Sequence, residues 1–422
     1  MSDGPRVHTL ANGVRVVADP LPGFQTFALT VAAGRGARWE DEARSGWSHL
    51  LEHMVFKGAG GRSARDIVEV IEARGGQINA ATGYERTSFQ VRSLQGALAL
   101  GMEVCADLIL KPAIDAGDLS QEVRVVGQEI AEAADTPDDL VFELAQGAAF
   151  AGQPIGRPVL GTDASIGVAA PDTLEAWRAQ LYAPDRIVVS AAGAVDEGEL
   201  LALSERLYGA ARPMESPQPA PARFTDGRAA EARKLEQAHL VLLLPGVGLS
   251  DPDHFAQRLF AEMLGGGMSS RLFQKAREEM GLAYAIDAFA ETYDDAGLVG
   301  VYAGCAAKDA VALAEVTAGE IHALATSVGD EELARAKAQL KASLFMARES
   351  LAARAEQAAA QLLAFERLLT PQEIANAIDA VSADDVTRLA QRLLAQRACA
   401  PAVLGPKPAL KAAERFAAAL FG

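Results

Sequence analysis

The apolar positions of this chain change period along its length. Phe27-Ala28-Leu29-Thr30-Val31-Ala32 and Thr87-Ser88-Phe89-Gln90-Val91 are short runs rich in apolar, β-branched and aromatic residues, the pattern of strands. Between them Trp47, Leu50, Leu51, Met54 and Val55 cover most of a helix's circumference, which predicts a buried helix ending near Lys57-Gly58. Gly75-Gly76 then breaks the chain. The same order returns later. His239 to Leu244 reads as a strand, a helix runs to Leu264, Gly265-Gly266-Gly267 breaks it, and Leu298-Val299-Gly300-Val301-Tyr302 reads as a strand again. This echo predicts an α+β protein of two similar domains, each a mostly antiparallel sheet packed with helices. Two further helices are expected. One spans Leu119 to Ala133, with Leu119, Val123, Val126, Ile130 and Ala133 forming an apolar stripe; the other spans the Ala-rich Leu351 to Leu369.

Prolines at 213, 217, 219 and 221 fall within nine residues. Such a run neither continues a helix nor sits in a central strand, so it reads as an exposed linker. The expected division is residues 1–212 as an N-terminal domain, 213–223 as linker, and 224–422 as a homologous C-terminal domain. A chain of 422 residues is in any case too long for one core, since single cores stop growing near ~250–300 residues.

Composition narrows the class. Acidic residues outnumber basic ones by 56 to 39, for a net charge of −17. That balance argues against nucleic-acid binding, which needs clustered Lys and Arg; it fits solubility or attraction for basic peptides. No run approaches the ~18 apolar residues of a membrane span, and Met1-Ser2-Asp3-Gly4-Pro5-Arg6 resembles neither a secretory signal nor a transit peptide. Cys105, Cys305 and Cys399 are widely spaced and odd in number, so they imply neither a disulfide framework nor a CxxC metal site. A cytoplasmic, bacterial protein is expected, with no nucleic acid and no membrane.

The sharpest local feature is His49-Leu50-Leu51-Glu52-His53. Only six histidines occur in the chain, and composition alone predicts roughly 0.006 such matches. On a helix, residues four apart stand one above the other, with Cβ atoms ~5–6 Å apart, so both imidazoles can reach one Zn²⁺ at ~2.0–2.1 Å. Glu52 lies beside the pair, near the metal's open position, where it can take a proton from water. A catalytic zinc typically has three protein ligands, so a third must come from another element. Glu122 and Glu129 are two turns apart on the helix around Val126 and border its buried stripe. A carboxylate so placed needs a partner; Glu129 as ligand and Glu122 as its support would satisfy both. Spacing alone gives equal weight to Glu129 as a solvated helix residue.

With these residues in view, the chain resembles the pitrilysin/insulysin family of zinc peptidases, nearest the mitochondrial processing peptidase branch. The likeness covers Leu10 to Arg15, Gly34 to Glu40, and the inverted zinc motif (HxxEH, the inverzincin order) from His49 through Gly58. It continues through Gly75-Gly76, Asn79-Ala80, Glu122, Glu129, Asp135 to Asp138, Gly156 to Pro158 and Leu160 to Thr162. In the second half it takes in Leu264 to Phe273 and Gly281 to Tyr284. The family's distal glutamate lies 76 residues beyond the second motif histidine, which here is Glu129. The resemblance implies His49, His53 and Glu129 as ligands of one Zn²⁺ per chain, Glu52 as general base and Glu122 as the family's second acid. Asn79 and Ala80 match the edge beside which a peptide substrate lies as an added strand. Arg277 and Tyr284 match a substrate-binding pair; read alone, they would be a solvated helix residue and a strand-core aromatic. The implied activity is metalloendopeptidase cleavage of unfolded or short peptides. Because zinc motif and Arg/Tyr pair share one chain, a homodimer is expected, or a heterodimer with a related subunit. The alternative is a non-catalytic scaffold, as for relatives that form core subunits of a respiratory complex.

Overall fold

The computed structural model describes residues 4–212, 214 and 217–422. Met1 to Asp3 and, within the expected linker, Pro213, Glu215 and Ser216 lie outside the described residues. The chain forms two compact units, each a sheet packed with helices, as the repeated pattern predicts.

The first unit comprises Met1–Ala131, Pro158–Pro219 and Met346–Leu369. Its six strands are β1 (Arg6–Thr9), β2 (Arg15–Pro20), β3 (Thr26–Ala33), β4 (Gln77–Thr82), β5 (Thr87–Leu94) and β6 (Ile187–Gly193), in the order β1-β2-β6-β3-β5-β4. All neighbours are antiparallel except β2 and β6. β3 is buried on both faces, and its alternation shows why. Phe27, Leu29 and Val31 enter the main core with Leu50, Leu51, Met54 and Phe89. Ala28 and Ala32 face the other way, onto Ala355 and onto Ala359 and Leu362. Small residues on that face let the Ala-rich helix Leu351–Phe365 approach closely.

That helix is tied to the sheet by charge as well as by packing. Arg354 donates Nε to Asp19 Oδ2 at 2.7 Å and Nη2 to Oδ1 at 3.0 Å, a bidentate pair with both side chains nearly buried. Arg15 donates to the carbonyl of Leu362 at 2.6 Å, and Glu356 accepts from Ser88 and Gln90.

The second unit comprises Glu132–Arg157, Ala220–Phe345 and Thr370–Gly422. Its strands are β7 (Ala229–Ala232), β8 (Ala238–Gly246), β9 (Ala283–Thr292), β10 (Gly297–Cys305) and β11 (Ala400–Gly405), in the order β9-β10-β8-β11-β7. Replacing β4, β5, β3, β6 and β2 by β9, β10, β8, β11 and β7 reproduces five of the six strands of the first sheet, all but β1, including its single parallel pair. Helix Pro137–Ala149 packs on β8 and β11, as Leu351–Phe365 packs on the first sheet.

The units are therefore not the contiguous halves 1–212 and 224–422. The chain does pass from one to the other between Pro219 and Ala220, within the proline-rich segment. Each unit also takes one covering helix from the opposite half of the sequence, because each sheet is apolar on both faces and needs a second layer.

Removing one partner of a buried ion pair strands the other charge. Arg354→Met should therefore destabilise the chain by about 3 kcal/mol in chemical denaturation, and Asp19→Asn added to it should recover most of that loss.

Candidate metal centre

The paired histidines lie on helix Trp47–Val55, whose Trp47, Leu50, Leu51, Met54 and Val55 are all buried. Its start is held by an acid from outside the helix. Glu40, itself buried, accepts from the Gly46 amide at 2.8 Å and from the Ser48 amide at 2.6 Å, placing a carboxylate on the positive end of the helix. Gly46 has φ +87°, and a Cβ there would stand 2.4 Å from the Leu160 carbonyl oxygen, so only glycine fits. Trp47 Nε1 donates to the Ser165 carbonyl at 2.9 Å, and Trp177 Nε1 to Ser48 Oγ at 3.3 Å. These bonds fix both the register and the rotation of the helix.

So fixed, the helix aims His49 and His53 the same way, their ring centroids 4.7 Å apart. Opposite them runs helix Ala116–Asp135, one turn longer in all than the apolar stripe suggests. Glu129 Oε2 stands 3.8 Å from His49 Nε2 and 3.5 Å from His53 Nε2. These separations are long for hydrogen bonds. They are close to the spacing of donors around a tetrahedral ion, roughly 3.3–3.5 Å for ~2.0–2.1 Å bonds. One donor atom from each of the three residues lies within 4.8 Å of the others.

The donor set fits zinc: two imidazole nitrogens and one carboxylate oxygen, the number of protein ligands a catalytic zinc takes. Protonation fits as well. Burial, and secondly the neighbouring His53, pushes His49 down to about 4, so its ring is neutral and its lone pair free at neutral pH. Glu122 is only 3% exposed; it sits 3.2 Å from His53 Nδ1 and 2.5 Å from Lys57 Nζ. Its carboxylate oxygen accepts a hydrogen bond from Nδ1–H, which turns Nε2 toward Glu129.

Glu52 lies partly buried beside the pair. Thr82, the last residue of β4, donates Oγ1 to Glu52 Oε2 at 2.6 Å. Burial raises the Glu52 carboxyl above its ordinary value, while the Thr82 bond and His53 oppose the rise. Asn79 is exposed and Ala80 half-buried on the same strand. β4 closes one end of the sheet, and among the described strands it pairs only with β5.

The structure thus gathers His49, His53, Glu129, Glu122 and Glu52 in the first unit, with β4 beside them. Arg277 and Tyr284 belong to the second unit. Arg277 is exposed on helix Phe273–Glu279, its guanidinium 4.6 Å above the Phe273 ring. Tyr284 is not the core aromatic that its position in a strand suggests. The register of β9 on β10 slips between Ala283 and Ala285, and the extra residue of this bulge leaves Tyr284 63% exposed.

Sequence reasoning missed three contributors. Glu40 caps the helix from upstream rather than from the N-cap position, so no capping motif marks it. Thr82 and Lys57 become visible only through their partners, Glu52 and Glu122.

Comparison with known proteins finds likenesses over most of the chain. Residues 15–163 match the family model described as insulinase (peptidase family M16), and residues 169–340 match the peptidase M16 inactive domain. A Rickettsia bellii protein described as an uncharacterized zinc protease is 34% identical over 407 residues, covering 96% of this chain and 98% of its own. A Bacillus subtilis protein of the same description is 32% identical over 395 residues, covering 92% and 95%. Among solved structures, a protease from Helicobacter pylori superposes with a TM-score of 0.89 at 20% identity, covering 95% of this chain and 99% of its own. A chain of complex III2 from Candida albicans superposes at 0.86 with 19% identity, covering 99% and 100%. The two structural likenesses show the fold.

Proposed function

This chain belongs to peptidase family M16, and from that premise we propose that it is a zinc-dependent endopeptidase cleaving unfolded or short peptides. His49, His53 and Glu129 hold one zinc per chain, and Glu52 is the general base. The observation that carries this reading is the convergence of two histidine nitrogens on Glu129 with a half-buried glutamate beside them.

A bound zinc supplies Lewis acidity, polarising the scissile carbonyl and lowering the pKa of water in its open position toward ~7. The remaining chemistry belongs to the side chains. Glu52 accepts the proton of the attacking water and delivers it to the departing amine nitrogen. Its raised pKa suits both steps, and Thr82 holds one carboxylate oxygen so that the other is aimed. Glu122 keeps His53 in the tautomer that offers Nε2. The peptide docks as an added strand on the free edge of β4 beside Asn79 and Ala80, an arrangement that reads backbone more than side chains. Because Thr82 ends that strand, the docked backbone is delivered to Glu52. Arg277 and Tyr284, both solvent-facing in the second unit, are assigned to peptide contact. With metal ligands and this pair on one chain, a homodimer of complete subunits is the proposed assembly.

A scaffold role is the second reading, favoured by the likeness to a complex III2 chain and by the inactive-domain match. That match covers 169–340, a segment without paired histidines, whereas the first unit keeps all three metal donors and the base. The peptidase reading is preferred for that reason.

Two outcomes are expected. Glu52→Gln should retain zinc on elemental analysis while cleavage of a quenched peptide falls by about 10²–10⁴-fold; undiminished turnover would remove Glu52 from its role. Thr82→Val removes a donor that favours the ionised carboxylate, so the Glu52 pKa should rise. The acid limb of kcat/KM should then move to higher pH, with a loss of about three- to tenfold near pH 6; an unshifted limb would separate Thr82 from the base.

A further inference from the structure

Lys57 stands four residues after His53, just beyond the end of the histidine helix, with its amide donating to the Met54 carbonyl at 3.0 Å. Its ammonium lies 2.5 Å from Glu122 Oε1, and the other oxygen of that carboxylate lies 3.2 Å from His53 Nδ1. Lys57, Glu122 and His53 thus form a short chain of charge and hydrogen bonding between two helices, with the carboxylate as its buried middle member.

A carboxylate this buried is costly unless it is both paired and hydrogen-bonded. His53 alone does not meet that need, because a neutral imidazole donates one proton and brings no charge. We infer that Lys57 is a positioning residue of the metal site. Its ammonium lies against one carboxylate oxygen of Glu122 and fixes that side chain, and Glu122 in turn orients the His53 ring through its other oxygen on Nδ1, so that Nε2 faces Glu129. Partners of this kind typically govern ligand orientation and basicity as strongly as a tenfold to hundredfold change in metal affinity. Lys57 is set one contact further out, and it reaches the ligand only through Glu122.

A plainer role would also put a lysine here, since a cation at a helix C-terminus is favourable whatever it touches. The two accounts differ in what they predict. A helix-end charge changes stability alone, and it does so whether or not Glu122 is present. A positioning residue changes metal affinity, and only while Glu122 is there to carry the effect.

The inference rests on the His49–His53–Glu129 zinc reading, and a zinc competition titration against a chromophoric chelator, on the full metal-free chain, separates the two. Lys57→Met should weaken zinc binding about tenfold or more, whereas Lys57→Arg should stay within about threefold of the wild type. In a Glu122→Gln background, which is itself weakened, adding Lys57→Met should change affinity by less than about threefold. Zinc binding by Lys57→Met within about threefold of wild type, or an equal loss in both backgrounds, would overturn the inference and leave the zinc reading intact. If Lys57→Met alone does not fold, the double variant, which buries no unpaired charge, should fold; its failure to do so would also overturn the inference. A wild-type chain that takes no zinc would remove the inference together with the reading beneath it.

Discussion

The site depends on holding two helices in one register. His49 and His53 on the first and Glu129 on the second bring their donor atoms within 4.8 Å of one another, and a slip of one residue on either helix would turn a donor away by about 100°. The protein spends buried polar groups to prevent that slip. Glu40 grips the start of the histidine helix by two amides, and two tryptophan N–H groups lock its sides. At its far end, Lys57 and His53 meet Glu122 from the facing helix. The metal donors sit between these anchored ends, and preorganisation of this kind lets a ligand set wait for its ion.

The sheet supplies the second half of the design. β4 offers a free edge and ends at Thr82, whose hydroxyl meets Glu52. The proposed docking edge and the proposed base are therefore referred to the same strand. The second unit repeats the strand order and its one parallel pair, yet its counterpart edge, β9, carries a bulge that turns Tyr284 outward. One architecture occurs twice, while His49, Glu52 and His53 all lie on the first copy.

Much of this was legible in the residues, and the boundary of what was legible is physical. The HxxEH motif is read easily because helical spacing turns a sequence interval into a spatial one. The Leu119 to Ala133 stripe likewise told that Glu122 and Glu129 border the core, although Glu122 is the far more buried of the two. The two-domain plan was visible as a repeated order of strand, helix and break. Other features arise from contacts distant in sequence and leave no periodic trace. Glu40 is one of these, since it caps a helix from six residues upstream. The Ala-rich stretch from Leu351 announces a helix, but nothing in it says that Asp19 and Ala28 will receive it. Tyr284, taken without the resemblance, looks like core, because nothing in its neighbours marks the bulge that breaks the alternation and turns it outward.

The central claim is that residues 49, 53 and 129 share one zinc ion, and zinc X-ray absorption on the purified full chain tests it most directly. The account predicts one zinc per chain with two imidazole nitrogens, an oxygen-only remainder to the shell and no sulfur. A spectrum that includes sulfur, or one that is unchanged in a Glu129→Ala/His53→Ala double variant, would contradict it.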